Sequence, residues 1–156
     1  MKTFAPFFIL IVIITLPRCS RNGLFEKNVL IPGYKWETSF QPRIEFELND
    51  TTSAYNVFIV FRHTNAYNYN NLWVKAAVKE PGSTNWKTGQ YDLLLATNDK
   101  GWLGSGMDDI FEHRILIQPQ TKFRKPGKYE YAIQQIMRED PLAHAMNIGL
   151  RIEKAP

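Results

Sequence analysis

Cys19 is the only cysteine among the 156 residues, and it stands directly after a long apolar segment. A single thiol excludes an internal disulfide, and a free exposed thiol is a liability in an oxidising compartment. The apolar segment runs from Phe4 to Leu16 behind the basic Lys2, which is the arrangement of an export signal. Its length of roughly thirteen residues is short of the about 20 that a membrane-spanning helix needs. We therefore expect Cys19 to carry a covalent group after export.

The four residues that end in Cys19 indicate which group that is. The segment Leu16-Pro17-Arg18-Cys19 resembles a lipobox, in which a peptidase cleaves just before a cysteine whose thiol carries a diacylglyceryl group. A small residue is usual where Arg18 stands, so less efficient cleavage is expected. The predicted organisation is a signal peptide over 1–18, a lipidated Cys19 with a short tether over 19–23, and one folded domain over 24–156. The alternative is an ordinary signal peptide followed by an incidental cysteine.

The tether and the charge indicate where such a protein acts. Two or three acyl chains hold a protein stably on a membrane, and the segment Ser20–Gly23 has no acidic residue, which favours a lipid-anchored domain facing the periplasm. Without the signal peptide the chain keeps 17 basic and 15 acidic residues, so nucleic acid is not an expected partner. The basic residues that cluster near Pro126-Gly127 indicate a solvated turn or a weak contact with anionic headgroups. These residues are Lys122, Arg124, Lys125 and Lys128.

The titratable residues offer one weak candidate for catalysis or metal binding. His63, His113 and His144 are too far apart in the sequence for a zinc motif, so no metal and no cofactor are expected. Asp108, Asp109, Glu112 and His113 are close in sequence and could bind Ca²⁺ or act as acid and base in a remote hydrolase hypothesis. Such a group is more often a solvated loop that leads into a strand. The sequence therefore predicts no enzyme.

Aromatic residues in predicted loops are the stronger candidates for binding. Tyr67, Tyr69, Trp86 and Trp102 fall in or beside loops, where aromatic rings can stack on sugars or anchor a protein partner. The alternative is that these rings plug the ends of the fold. The glycines of the segment 101–106 permit a tight loop around Trp102, and they match neither a P-loop nor a serine nucleophile motif.

The elements that position these residues are predicted to be β-strands. Apolar and polar residues alternate over 43–48, and both faces are apolar over 55–61, which predicts a central strand. Further alternating segments follow, with Pro119 expected to end one of them, and no segment shows a sustained helical period. They cover 72–79, 90–96, 111–117, 129–137 and 146–153. We therefore predict an all-β, antiparallel sandwich of about seven to nine strands, Ig-like or jelly-roll-like, in a single domain.

A set of short motifs, in order along the chain, resembles a known family. The chain is similar to the gliding-motility lipoproteins called GldH, from gliding bacteria of the Bacteroidetes. The motifs are Asp50-Thr51-Thr52-Ser53-Ala54-Tyr55-Asn56, Arg62, Asn71-Leu72, Gly101-Trp102-Leu103-Gly104-Ser105-Gly106, Pro126-Gly127-Lys128-Tyr129, Met137-Arg138 and Gly149-Leu150-Arg151-Ile152-Glu153.

The resemblance implies a function and a set of residues to test. It implies a non-enzymatic accessory lipoprotein of the gliding machinery, which overlaps with a protein-secretion system, with other envelope or gliding-machinery proteins as partners. Tyr55 and Asn56, together with the loop positions Trp102, Leu103, Gly104 and Gly106, are the candidate partner-binding residues. The alternative function is an envelope lipoprotein that binds glycan or peptide through its loop aromatics.

Overall fold

The computed structural model describes residues 25–156, so the predicted signal peptide, Cys19 and the predicted tether lie outside the described residues. The described part is built from strands and one short 3₁₀ turn, Pro32–Tyr34. The strands are β1 (Phe25–Leu30), β2 (Lys35–Trp36), β3 (Arg43–Leu48), β4 (Tyr55–Thr64), β5 (Asn71–Lys79), β6 (Trp86–Leu94), β7 (Ala96–Thr97), β8 (Gly101–Trp102), β9 (Ser105–Met107), β10 (Ile110–Thr121), β11 (Gly127–Gln135), β12 (Leu142–Ala143) and β13 (Ala145–Lys154).

Two antiparallel sheets carry the fold. One has the strand order β1-β13-β4-β10-β9, and the other has the order β3-β11-β5-β6. Two short ribbons, β2 with β12 and β7 with β8, lie outside these sheets. The predicted all-β sandwich is confirmed. The thirteen strands exceed the predicted seven to nine, because five of them are pieces of two or three residues that sequence periodicity does not reveal.

The core lies between the inner faces of the two sheets. Ile44, Phe46 and Leu48 of β3 are buried while their neighbours are exposed, as the alternation predicts. Phe46 joins the two sheets, since its ring lies 5.5 Å from that of Phe25 in β1 and 5.4 Å from that of Tyr129 in β11. Aromatic rings at these separations add about 0.5 to 1.5 kcal/mol per pair to the gain from burial.

The structure corrects three details of the predicted strands. Pro119 does not end β10, because the strand continues to Thr121 through register shifts, where the missing amide hydrogen of proline does no harm. Strand β6 occupies Trp86–Leu94 rather than 90–96, so Trp86 lies in a strand. Strand β1 was not predicted, since its sequence lacks clean alternation. Of the strands within 25–156 it pairs with β13 alone and is an edge strand.

The central strand β4 gives the domain two distinct ends. The central strand predicted over 55–61 is confirmed, since β4 lies between β13 and β10. Tyr55 at its start lies at the same end as Phe25, which pairs with Ile152. His63 near its other end lies about 26 Å away, at about 3.3 Å per residue of strand. Below, these are called the Phe25 end and the His63 end.

Candidate partner-binding site

The His63 end holds two stacked histidines. His63 of β4 and His113 of β10 project inward from adjacent strands, with ring centroids 5.0 Å apart and planes at 15°. Their Nε2 atoms are 3.0 Å apart, within hydrogen-bond distance. The Nδ1 of His63 donates to the carbonyl oxygen of Thr64 at 2.8 Å. That bond leaves the Nε2 of neutral His63 as an acceptor, so we assign the hydrogen of the shared bond to the Nε2 of His113.

Burial keeps this pair neutral. Both side chains are almost fully covered, and desolvation penalises the charged form of an imidazole. Burial lowers the pKa of His113 to about 4, with the neighbouring His63 adding to the effect. Burial likewise lowers the pKa of His63, against the opposing effect of its bond to Thr64. A pair of neutral, stacked rings is a structural element of the core rather than an exposed acid or base.

Trp102 covers the histidine pair. Its ring lies 4.4 Å from that of His63 and 5.7 Å from that of Phe111. Its Nε1 donates to the side-chain oxygen of Asn65 at 3.0 Å. Trp102 is therefore half-buried: its ring packs on other aromatic rings, and its indole N–H has a hydrogen-bond partner.

The other predicted loop aromatics also have contact partners within the domain. Tyr67 is buried, as the plugging alternative predicts, and its hydroxyl donates to the carbonyl oxygen of Asn71. Tyr69 donates to Glu139 at 2.6 Å, and this bond raises the pKa of Tyr69. The ring of Trp86 is faced by the cationic groups of Arg43 and Lys79 at 5.5 and 4.8 Å. Plugging and packing, the alternative interpretation of these residues, agrees with the structure better than a sugar-stacking platform.

The loop after Trp102 forms an exposed apolar surface. Leu103 and Met107 are 44% and 78% exposed, and Ile110 across the β9–β10 turn is also exposed. Gly104 makes this turn of the chain possible, since a Cβ there would lie 2.5 Å from the carbonyl oxygen of Glu112. Gly106 packs against Phe111 in the same way. The glycines of this loop are thus needed for the close approach of β9 to β10.

Two grooves flank β9. One, of about 460 Å³, is lined by Arg62, Met107 and Ile110, among others. The other, of about 530 Å³, follows β10 and is lined by Leu103 together with the exposed Leu94 and Leu116. Exposed leucine and methionine beside open grooves are typical of surfaces that bind proteins.

Tyr55 and Asn56 lie at the opposite end of β4 from this surface. Tyr55 is buried, and its hydroxyl donates to the carbonyl oxygen of Asp50 at 2.9 Å. The side-chain oxygen of Asn56 accepts the backbone N–H of Gln120 at 3.0 Å. Both residues make hydrogen bonds within the Phe25 end, and Tyr55 is buried there. The six predicted partner-binding positions therefore do not form one site.

The acidic group near β10 is divided between two faces. Glu112 pairs with Arg62 and with Arg114, which lies 2.7 Å from it, on the outer face of the sheet. His113, the next residue, points into the core. Asp108 and Asp109 lie in the exposed turn before the strand. Among residues 25–156 no cluster of three or more such side chains could hold a metal ion.

The basic residues around Pro126-Gly127 lie at the Phe25 end. Lys125 lies 3.6 Å from Glu80, and Lys128 lies 3.1 Å from Glu45, in exposed ion pairs. The predicted solvated turn agrees with this exposure. No helix within 25–156 has the length and apolar character needed to cross a bilayer.

Comparison with known proteins places the chain in a family. The model of the family described as GldH lipoprotein matches residues 23–152. A protein of Christiangramia forsetii named "Gliding motility lipoprotein GldH homolog" is 29% identical over 99% of this chain and 98% of its own length. The protein named "Gliding motility lipoprotein GldH" of Flavobacterium johnsoniae is 29% identical over 94% of each chain.

The solved structures that match this chain are more distant. A carbohydrate-binding module specific for non-crystalline cellulose has a TM-score of 0.45 and 11% identity, over 84% of this chain and 73% of its own. The VP2 subviral particle of infectious bursal disease virus has a TM-score of 0.34 and 13% identity, over 83% of this chain and 32% of its own. The family assignment rests on the sequence match, which covers nearly all of the described domain: the chain belongs to the GldH lipoprotein family.

Proposed function

We propose that this lipoprotein is a non-enzymatic accessory component of the gliding machinery, and of the secretion system that overlaps with it, acting from the periplasmic face of a membrane. Family membership supports a role in gliding motility. The accessory role is supported by the exposed apolar surface at the His63 end, where Leu103 and Met107 border two grooves. Such a surface suits contact with another protein.

The position of the described N-terminus supports a direction for this surface. Phe25 follows Cys19 by six residues, which span at most about 20 Å when extended. Since Phe25 pairs with Ile152, a lipid on Cys19 would hold the Phe25 end toward the membrane. The surface with Leu103 and Met107 lies at the other end of β4 and would project away from the bilayer, accessible to a partner.

The divided acidic group supports the non-enzymatic part of the proposal. Glu112 and His113 project to opposite faces of β10, and the imidazole of His113 is sequestered against His63. A general acid and base must reach the same substrate atoms. The exposed pair Asp108 and Asp109 remains testable, and a folded Asp108→Asn/Asp109→Asn variant is expected to complement a deletion strain fully. Failure of this variant to complement would point to catalysis.

The decisive experiment is a gene deletion scored for colony spreading and for secretion of cargo. We expect both to be lost and to return with the wild-type gene. A Leu103→Asp/Met107→Asp variant should be anchored and folded but should fail to restore spreading, because charge at both positions opposes burial in an interface. Leu30→Asp is the matched control, since Leu30 is 62% exposed on β1, at the opposite edge of the same sheet.

Two outcomes would contradict the proposal at different levels. Normal spreading and secretion in the deletion strain would reject the role in the machinery. Full complementation by Leu103→Asp/Met107→Asp would keep that role and reject this surface as the contact. Crosslinking from position 103 in living cells, with position 30 as the reference, identifies the partner in the positive case.

A further inference from the structure

The outer edge of β10 is only partly covered. In the five-stranded sheet β10 pairs with β4 along one side, from Ile110 to Thr121. On its other side β10 pairs with β9 over Ile110–Glu112 alone. Among residues 25–156 no strand covers β10 beyond Glu112, which makes this part of it an open sheet edge. Open edges present backbone donors and acceptors that a further strand can pair with.

The hydrogen bonds around β4 show which backbone groups face this open edge. The N–H of Thr64 donates to His144 on the β13 side, and the N–H of Asn65 donates to Asp109 on the β10 side. Backbone groups alternate in direction along an antiparallel strand. His63, Phe61 and Ile59 therefore bond toward β10, and their register partners Phe111, His113 and Ile115 bond toward β4.

It follows that the intervening residues of β10 point their backbone groups outward. The carbonyl oxygen of Glu112 confirms the direction, since it lies close to Gly104 at the end of β9. By the same alternation, the N–H and C=O groups of Arg114 and Leu116 face the open edge, past the last residue paired with β9. Within the described part of the chain, these two residues thus offer four backbone groups without a partner, in line with β9.

The groove of about 530 Å³ runs along this same edge. It is bordered by β10 from Glu112 to Leu116, by Leu103 at the end of the loop, and by Leu94 of β6 from the facing sheet. Leu94, Leu103 and Leu116 are all at least 44% exposed. An extended chain in this groove would direct alternate side chains inward, toward Leu94 and Leu103, and outward, beside Arg114.

We propose that this edge binds an extended segment of a partner protein as an additional β-strand, in register with β9. The outward N–H and C=O groups of Arg114 and Leu116 pair with its backbone, and the leucine-lined groove receives an apolar residue at every second position. This deepens the proposed function, on which it rests, by naming how the partner is held.

A short peptide fits this edge better than a second copy of the domain does. Register shifts after Leu116 interrupt the strand, and Pro119 has no N–H to offer, so only about five residues present a regular edge. Pairing of two such edges buries far less than the about 1,200 Å² typical of a stable protein interface.

The test uses the purified mature chain and a displayed library of random linear nine-residue peptides. Selected peptides are expected to be apolar at alternate positions. N-methylation should weaken binding at least tenfold at every second peptide residue, those whose N–H groups face β10. At the residues between them it should have little effect. Hydrogen exchange gives the second readout: the amides of Arg114 and Leu116 should exchange quickly in the free protein and slowly when peptide is bound. The amides of His113 and Ile115 should be protected in both states.

Variants separate this edge from other surfaces. Arg114→Pro removes an N–H that faces outward, so it should leave the sheet paired and weaken the selected peptides at least tenfold. Leu94→Ser/Leu103→Ser changes only exposed side chains and should weaken them likewise if Arg114→Pro proves unstable. Leu30→Ser is the matched control and should bind as the wild type does.

Each alternative outcome overturns the inference. These outcomes are a library with no binders, binders unaffected by both variants, and protection of Arg114 and Leu116 that arises from self-association. A strain with a folded Arg114→Pro protein that glides normally would reject this edge while leaving the role in gliding intact. Only normal gliding of the deletion strain would reject that role itself.

Discussion

His63 and His113 share a hydrogen bond between their Nε2 atoms, 3.0 Å apart, although 50 residues separate them in the sequence. The bond requires at least one ring to be neutral, and protonation of both would place two positive charges in contact within the core. The covering ring of Trp102 links this buried pair to the exposed loop that carries Leu103. Protonation of the pair and the conformation of the loop are therefore expected to be coupled.

The stability of the domain should fall as the pH is lowered from about 7 to 5. An unfolded histidine titrates near pKa 6.5, whereas burial lowers the pKa of His113 to about 4, so the unfolded state takes up the proton first. The stabilisation is thus complete above pH 6.5 and is lost as the pH falls toward 4. Urea unfolding should show a loss of about 1 to 2 kcal/mol by pH 5.

The control for this pH dependence is another histidine. His144 lies in the turn before β13 with a positive φ of 65°, a conformation that asparagine tolerates. His144→Asn should keep the slope between pH 7 and 5, whereas His113→Asn should reduce it and leave the part that comes from the buried His63. A slope that is unchanged in His113→Asn would show that other groups control the effect. Carboxylates interfere little in this range, because the carboxyl groups of an unfolded chain titrate near pKa 4, below the interval from pH 7 to 5.

Substitution of Gly104 should damage the domain more than its surface position suggests. An added Cβ would lie 2.5 Å from the backbone oxygen of Glu112 and 2.9 Å from the His113 ring, so β9 would have to separate from β10. We expect Gly104→Ala to cost about 2 kcal/mol of unfolding free energy, measured by denaturant titration. Gly82→Ala serves as the reference, since its φ is +71° but no atom lies within 4 Å.

Gly82→Ala should lose only about 1 kcal/mol of unfolding free energy, which is the cost of placing alanine in a left-handed backbone conformation. Equal losses at positions 82 and 104 would mean that the contact between β9 and β10 is looser than described. The selected peptides offer an independent check, because separation of β9 would also disturb the groove beside Leu103.

Glu130 should stabilise the four-stranded sheet more than an exposed acidic residue does. It is nearly buried on β11, pairs with Lys79, and accepts a bond from Arg43 at 3.1 Å. The bond from Lys79 is the main cause that lowers the pKa of Glu130. Glu130→Gln should cost about 1 to 2 kcal/mol, because it leaves two cations without their shared partner.

The exposed pair of Glu45 and Lys128 on the same sheet is the comparison. Their side chains are 53% and 67% exposed, so Glu45→Gln should change stability by less than about 0.5 kcal/mol. A larger effect at Glu45 than at Glu130 would contradict the argument from burial. A double-mutant cycle of Glu130→Gln with Lys79→Met measures the coupling directly.

Loss of Cys19 should release the domain from the membrane. With no other cysteine in the chain, Cys19→Ala should abolish labelling by a fatty-acid analogue and leave a soluble or uncleaved protein. Arg18→Ala is the opposite test, since a small residue before the cysteine should raise the efficiency of cleavage. Unchanged acyl labelling of Cys19→Ala would overturn the anchor.

Local patterns in the sequence were enough to predict the fold class and many strands. The alternation of Ile44, Phe46 and Leu48 predicts β3 with its observed bounds, because one buried face imposes a period of two on any strand. The same reasoning identifies β4 as central from its two apolar faces. It fails for β1 and for the short strands near Trp102, where few residues are buried and backbone contacts define the structure.

What the sequence by itself determined was therefore the β-sandwich and the family resemblance, and it predicts an export signal and an anchoring cysteine at position 19. Only the tertiary structure decided which predicted site residues lie together. Tyr55 and Trp102 are both aromatic residues beside turns, yet β4 places them at opposite ends of the domain. The stacking of His63 on His113 and the open edge at Arg114 likewise depend on strand order and register. Those are set by contacts between distant segments, which a local pattern does not encode.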